Sequence, residues 1–376
     1  MALRVECCVV GGGVVGLAVA RSLALRGAEV LLLEANAALG QGVSSRSSEV
    51  IHAGLYYHQT PLKQKLCIAG RDLLYDYCEA RAVPFRRCGK LVVATSEAQM
   101  GALRQLEGRA CAAGVAIELL GPGAVAALEP EVFCVGALHS PATGVVDSHA
   151  LCAALRLDAE RAGATVATRT RAVGGETCDS GTRVFCRDAD GEESQVDCDY
   201  VVNAAGLAAT RLADAFSPAN GASWSAPKPR FAKGSYFALM GKPPFKRLIY
   251  PLPEAKLGGL GIHSTVDTAG RVKFGPDVEW LSDDVDVDDA GLYAVDEKKV
   301  HAFAASVRLY YPNLDVDCLQ PDYAGVRPKL EAGAGPADFV LARPRKSIFH
   351  LLGIESPGLT AALALADHVA DAIRPT

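Results

Sequence analysis

The sequence predicts an α/β fold: a discontinuous, mostly parallel-sheet domain interrupted by an inserted α+β domain built on an antiparallel sheet. Three observations predict it. The chain opens with an apolar run, a glycine-rich turn, an amphipathic segment and a second apolar run that ends in an acid. From residue 223 to residue 326 the texture changes to alternating apolar and polar positions, broken by proline and glycine. Close to the C-terminus a further apolar run meets a second glycine-rich turn and a helix. With 376 residues, two domains are the natural expectation. The division expected is 1–85, 140–222 and 327–376 for the first domain, and 86–139 with 223–326 for the second, substrate-binding one.

The opening is the most informative stretch. Val5-Glu6-Cys7-Cys8-Val9-Val10 reads as a strand, Gly11-Gly12-Gly13-Val14-Val15-Gly16 as a G-x-G-x-x-G turn into a helix, and Val30 to Leu33 as a second strand ending in Glu34. This is a Rossmann-like βαβ unit in the order and length a dinucleotide requires. Gly11 permits the tight turn, Gly13 lets the backbone approach a pyrophosphate, and Gly16 lets the helix press on the sheet. The N–H groups at the helix start, from Val14 and Val15, and the positive end of the helix dipole then hold the phosphates. Glu34 is placed to accept both ribose hydroxyls, and its charge disfavours a 2′-phosphate and hence NADP.

Composition excludes several function classes. The chain is half hydrophobic and 22% charged, with a net charge of −5 and acids and bases mixed throughout, so no nucleic-acid face is expected. No apolar run reaches the ~18 residues of a membrane span, although peripheral membrane contact stays compatible with the sequence. The twelve cysteines are scattered, with no C-x-x-C and no Cys/His cluster. They read as apolar core residues in a reducing intracellular compartment, and no metal site is expected. The first strand begins within four residues of Met1, so neither a secretory signal nor an ordinary-length transit peptide is expected.

Beyond Glu34, Ser44-Ser45-Arg46-Ser47-Ser48 carries four hydroxyls and a guanidinium in five positions. That pattern suits phosphate oxygens and a flavin edge rather than a core. Helices are expected over 62–80, 97–113 and 148–162, with Gly163 as a stop, and strands over 90–94, 135–138 and 164–170. Pro122 to Pro130 reads as irregular. A hairpin over 183–199 leads into a short buried strand, Tyr200 to Gly206, whose small residues let something flat come close. The inserted domain shows alternation at 231–239, 248–251, 259–263 and 272–274, an acidic loop at 283–289, and a covering helix at 295–310. Ile348 to Leu352 is a last strand. Gly353-Ile354-Glu355-Ser356-Pro357-Gly358-Leu359-Thr360 then aims another helix N-terminus inward, where its dipole can stabilise negative charge on a reduced flavin.

These segments together resemble the D-amino acid oxidase superfamily of FAD-dependent oxidoreductases over nearly the whole chain, and within it the L-2-hydroxyglutarate dehydrogenases. The resemblance is carried by the glycine turn, by Ile51-His52-Ala53-Gly54-Leu55-Tyr56-Tyr57, Arg87-Cys88-Gly89-Lys90-Leu91-Val92-Val93-Ala94 and Val202-Asn203-Ala204-Ala205-Gly206-Leu207. It continues in Leu248-Ile249-Tyr250-Pro251, Gly259-Leu260-Gly261-Ile262-His263, Phe274-Gly275-Pro276-Asp277-Val278-Glu279-Trp280, Ala324-Gly325-Val326-Arg327-Pro328-Lys329 and the last glycine turn. The serine-rich stretch is also similar to FAD-dependent glycerol-3-phosphate dehydrogenases. The resemblance implies an FAD-binding domain, with cofactor contacts from the opening turn, Glu34, Ser44, Ser45, Arg46, Ser47, Ser48, Val173, Ala205, Gly206, Gly353, Ile354, Gly358, Leu359 and Thr360. Eukaryotic members carry a mitochondrial presequence; none is visible here, which leaves a mitochondrial, cytoplasmic or inner-membrane-face location.

The chemistry it implies is oxidation of the dicarboxylate (S)-2-hydroxyglutarate to 2-oxoglutarate, with hydride passing from Cα to flavin N5 and electrons on to a quinone or a carrier flavoprotein. Such a reaction needs a base of pKa near working pH, for which histidine is the default. His263 and His52 are the candidates, His263 slightly favoured. Two carboxylates need more than one cation. Arg327, read in a Gly-Val-Arg-Pro-Lys turn, suits a bidentate contact, and Lys329 and Lys233 are candidates for the second end. Tyr56, Tyr57, Tyr236 and Tyr250 can add hydroxyl donors. The competing readings are an amine or amino-acid oxidase of the same fold, a glycerol-3-phosphate dehydrogenase, and a flavin-binding scaffold without catalysis.

Overall fold

The computed structural model describes residues 3–178, 181–217, 224–252, 261–332 and 335–374. The centre of the first domain is a five-stranded parallel layer. Leu3–Val10 pairs with Val30–Leu33 on one side and with the far half of Glu193–Asn203 on the other. Thr165–Ala167 and Ile348–Leu352 extend the layer at its two edges. These are the near-continuous apolar runs of the sequence, as strands covered on both faces demand.

The rest of this nine-stranded sheet is antiparallel apart from Phe216–Ser217, which pairs in parallel with Thr170–Cys178. Gly181–Asp188 pairs with the near half of Glu193–Asn203, and Thr170–Cys178 pairs with Gly181–Asp188. The short strand expected at 200–206 is thus the end of an eleven-residue one. An unforeseen strand, Val340–Arg345, pairs antiparallel with Ile348–Leu352. The opening helix Val14–Leu25 packs on the C-terminal helix Gly358–Ile373 and on Ser148–Arg161, and Pro61–Ala80 packs on the C-terminal helix. Their apolar stripes share one core that includes Leu17, Leu23, Leu66, Leu74, Leu155 and Leu365.

The second domain is another nine-stranded sheet, built from both expected segments: Lys90–Ala94, Glu118–Leu120 and Gly136–Ser140 from the first, and Pro229–Leu239, Leu248–Pro251, Ser264–Val266, Val272–Phe274 and Glu279–Trp280 from the second. It is not wholly antiparallel, because Leu248–Pro251 joins Lys90–Ala94 in parallel where the two segments meet. Its longest member, Leu319–Leu330, stays paired with Pro229–Leu239 through Leu330, so residue 327, expected as a boundary, falls inside a strand. A small sheet of Val50–Ile51, Gly144–Val146 and Phe85–Arg86 bridges the two.

Three local expectations are corrected. Residues 122–128 form a helix, with Pro122 at its first turn, where the missing N–H costs nothing, and Val125 buried beneath it. The covering helix is confined to Val300–Val307, after a separate turn, Glu297–Lys299, capped by Asp296. His263 precedes the strand Ser264–Val266 rather than ending one; of the run expected at 259–263, residues 259 and 260 lie outside the described residues. The eleven cysteines whose side chains are described are free, and most are buried.

Candidate active site

A cavity of about 630 Å³ runs from the opening βαβ unit to the inserted sheet, within the range typical of ligand sites. At its nucleotide end the backbone is tightly specified. Gly11 has φ +108, and a Cβ there would lie 2.4 Å from the Ala204 carbonyl oxygen; one on Gly16 would lie 1.8 Å from the Gly11 carbonyl oxygen. The turn can therefore exist only with glycine at both places. Gly12 N–H donates to Glu34 Oε2 and Asn36 N–H to Glu34 Oε1, each at 2.7 Å. Each carboxylate oxygen keeps a second lone pair for a hydroxyl. Val14 N–H donates to Ser44 Oγ at 2.9 Å, which ties the serine-rich loop to the helix N-terminus.

The middle of the cavity is assembled from that loop, the inserted sheet and the second helix N-terminus. Arg46 donates to the Ala324 carbonyl and lies over the Tyr293 ring. Tyr323 OH donates to the Ser47 carbonyl at 2.6 Å, and Ser48 Oγ meets Tyr236 OH at 2.7 Å. Tyr236 and Tyr323 stack at 4.5 Å. Thr360, in the first turn of the C-terminal helix, accepts from His52 N–H and donates to the Val50 carbonyl. This pins the segment bearing His52 to that helix.

The far end is lined by His52, Tyr56, Tyr57, Tyr236, Tyr250, His263, Arg327 and Lys329. The His263 ring is buried and stacked on Tyr250 at 3.8 Å. Its Nδ1 lies 3.1 Å from the Gly261 carbonyl, which can only accept, so Nδ1 carries the proton and Nε2 is left as an acceptor. Burial, with Arg327 and Lys90 nearby, lowers its pKa to about 3 despite the Gly261 contact. His52, lowered by burial and then by Lys90, His263 and Arg327, sets Nε2 against Ser356 Oγ at 3.2 Å. His52 Nδ1, Tyr56 OH and His263 Nε2 are all buried without a partner among the described residues. Three orphaned polar atoms around one space call for a polar ligand.

Cations crowd this end. Lys63 and Lys329 both donate to Glu355 Oε1, at 3.0 and 2.8 Å. Burial raises the Glu355 carboxyl, but Lys329 and Lys63 outweigh it and hold it below its usual range. Arg327 forms no ion pair among the described residues. It lies on the strand Leu319–Leu330 rather than in a turn, where Gly325, Arg327 and Lys329 alternate onto the cavity face.

Some expected residues stand elsewhere. Lys233 is one position out of phase with Gly234 and Tyr236, and so faces away, donating to the Ala294 carbonyl. Val173 sits at a bulge, is exposed and does not line the cavity, though Thr170, Arg171 and Ala172 do. Ser45 bonds back to the Gly42 carbonyl and also lies outside the lining, as does Gly353. Sequence reasoning missed Lys63, Glu355 and Lys90. A lysine heading the otherwise apolar run Lys90–Ala94, fully buried in the sheet, was the readable signal.

Glycine-only backbone, two helix N-termini and an acid at the ribose position fit an adenine dinucleotide with a flavin. The profile of the family described as FAD dependent oxidoreductase matches residues 6–372, and the chain belongs to that family. It is 38% identical over 408 residues to the mitochondrial L-2-hydroxyglutarate dehydrogenase of Arabidopsis thaliana, covering 98% of this chain and 83% of the relative. Identity to the mitochondrial L-2-hydroxyglutarate dehydrogenase of Homo sapiens is 28%, over 97% and 88% of the two chains. Among solved structures, FAD-bound L-α-glycerophosphate oxidase from Mycoplasma pneumoniae superposes with a TM-score of 0.86 at 23% identity, covering 98% of this chain and 94% of that one. Glycine oxidase from Geobacillus kaustophilus gives 0.81 at 21%, over 99% and 95%. At those identities the structures speak for the fold. No helix among the described residues is long and apolar enough to cross a membrane.

Proposed function

We propose that this protein oxidises (S)-2-hydroxyglutarate to 2-oxoglutarate, using FAD. The observation that carries the reading is the unpaired Arg327 guanidinium facing the same space as three orphaned polar atoms, His52 Nδ1, Tyr56 OH and His263 Nε2. The 38% identity to a plant enzyme named for this substrate supports it. Gly11, Gly13, the N-termini at Val14 and Gly358, Glu34 and Ser44 would hold the cofactor. FAD, when bound, supplies the two-electron acceptor for the Cα hydride.

The chain's own residues do the rest. Arg327 takes the carboxylate next to the carbinol carbon as a bidentate pair. His263 is the base: its Nδ1–H is committed to Gly261, so Nε2 receives the hydroxyl proton as the carbinol becomes a carbonyl. His52, held by Thr360 and Ser356, orients the alcohol. Removing water from this end strengthens each of these contacts. The word dehydrogenase in the relatives' names supports a quinone or a carrier flavoprotein, rather than oxygen, as terminal acceptor.

The test is anaerobic. Protein saturated with FAD should lose its yellow absorbance on adding L-2-hydroxyglutarate and produce 2-oxoglutarate. An intact flavin spectrum after that addition refutes the proposal, and bleaching by glycine or a D-amino acid in its place moves the assignment to an amine oxidase.

A further inference from the structure

We propose that Lys90 is the specificity-determining cation for the substrate's second carboxylate, selecting dianions through an ammonium seated between Tyr56 and Tyr250 behind the far end of the cavity. The inference rests on the functional reading above and names the residue that makes it dicarboxylate-specific.

Lys90 is 1% exposed. Its backbone is fixed on both sides, opposite Leu248 in the parallel pairing and Ser140 in the antiparallel one. From there the side chain places Nζ 4.6 Å from the ring centres of both Tyr56 and Tyr250, two walls of the cavity. Among the described residues it has no ion pair and no hydrogen bond. A lone buried ammonium is costly unless something pairs with it.

The groups around it supply two aromatic faces but no counter-charge. Tyr56 and Tyr250 are held as neutral phenols by burial. Cys67, from the helix Pro61–Ala80, is pushed up to about 12 by burial and is a neutral thiol. His52 and His263 are neutral or positive at any pH, and Arg327 is a further cation. Among the described residues that line this end the acid is Glu355, which Lys63 and Lys329 already share. Lys90 and Arg327 are thus, among the described cations of this end, the two with no acidic partner, and a ligand with two carboxylates offers one to each. Burial lowers the Lys90 pKa to about 7, so the ammonium is readily lost from the empty site and regained when an anion arrives.

The test compares wild type and Lys90→Met as FAD-loaded enzymes on (S)-2-hydroxyglutarate and on (S)-2-hydroxypentanoate, the same carbon chain without the distal carboxylate. Lys90→Met should raise KM for the dicarboxylate by about tenfold to hundredfold, the worth of one charge-assisted contact, while kcat stays within about threefold. KM for the monocarboxylate should change by less than about twofold, and the wild-type rise in dicarboxylate KM above pH 7 should vanish in the variant. Equal losses on both substrates overturn the inference. Should Lys90→Met fail to retain flavin, wild type decides the matter by calorimetry in buffers of different ionisation enthalpy. At pH 8, 2-oxoglutarate should bind with proton uptake and 2-oxopentanoate without it; equal uptake overturns the assignment. Wild type that L-2-hydroxyglutarate never bleaches would instead remove the functional reading, and glutarate against pentanoate would still test Lys90.

Discussion

Lys90→Met should stabilise the protein even as it weakens substrate binding. The ammonium has a folded pKa of about 7 against 10.5 for an ordinary lysine. Between those two values the unfolded chain holds a proton that the folded chain lacks, so stability rises with pH through that window and the lysine is a liability at its lower end. At pH 7.5 the gap to the unfolded pKa is about three units, which at 1.36 kcal/mol per unit is roughly 4 kcal/mol. At pH 9.5 it is about one unit, or roughly 1.4 kcal/mol. Methionine has nearly the same length and no charge to desolvate. The variant should therefore melt several degrees above wild type at pH 7.5, with most of that advantage gone at pH 9.5. Differential scanning fluorimetry with saturating FAD at the two pH values measures both numbers. A variant that melts below wild type, or an advantage that does not shrink with pH, refutes the claim that an uncompensated ammonium is buried there.

Three further expectations follow from the same geometry. His263 and His350, lowered by burial to about 3 and about 4, sit below the unfolded value of 6.5, so stability should fall as pH drops below 6.5, by about 2 kcal/mol per histidine at pH 5. Urea midpoints at pH 7.5 and 5 check this, and because His52 is lowered in the same direction, His350→Gln should remove about a third of the loss. Gly11→Ala, whose Cβ would lie 2.4 Å from the Ala204 carbonyl oxygen at φ +108, should purify without bound flavin, read as the ratio of 450 to 280 nm absorbance. His263→Gln should keep the flavin spectrum but lower kcat by about 10² to 10⁴, the usual worth of a general base, in anaerobic stopped-flow reduction.

The nucleotide half was legible because its determinants are local. A turn that only glycine can make, a helix start and an acid at a fixed spacing all fall within one short stretch, and the strands between them are continuous apolar runs. The substrate end is different in kind. Arg327 could be singled out because it sits in a distinctive run, but its neighbours come from segments far apart in sequence: Lys63, His263 and Glu355 meet, with Lys90 behind Tyr56 and Tyr250, only after two sheets and a helix have formed. Lys233 shows the same limit from the other side. Its composition and neighbourhood were right, and a single step of strand alternation turned it away from the cavity. Phase at the end of an irregular strand is a tertiary property, as is the parallel junction of Leu248–Pro251 with Lys90–Ala94 that carries Lys90 to the site.

In the proposed mechanism the positive charge around His263 is the part of its suppression that a substrate can change. In the empty site burial suppresses the imidazolium, and Arg327 and Lys90 add to that suppression. On the proposed reading a dicarboxylate opposes the electrostatic part: two negative charges beside Arg327 and Lys90 reduce the positive charge facing His263, which raises its affinity for a proton. On that reading the substrate relieves the part of the suppression due to Arg327 and Lys90, while burial, its largest cause, persists. An alcohol without both carboxylates would leave one cation uncompensated and the imidazole correspondingly weaker. Selectivity for the dianion and competence for proton transfer would then follow from one charge arrangement, in which Glu355 occupies Lys63 and Lys329 and leaves Arg327 and Lys90, among the described cations of this end, without an acidic partner.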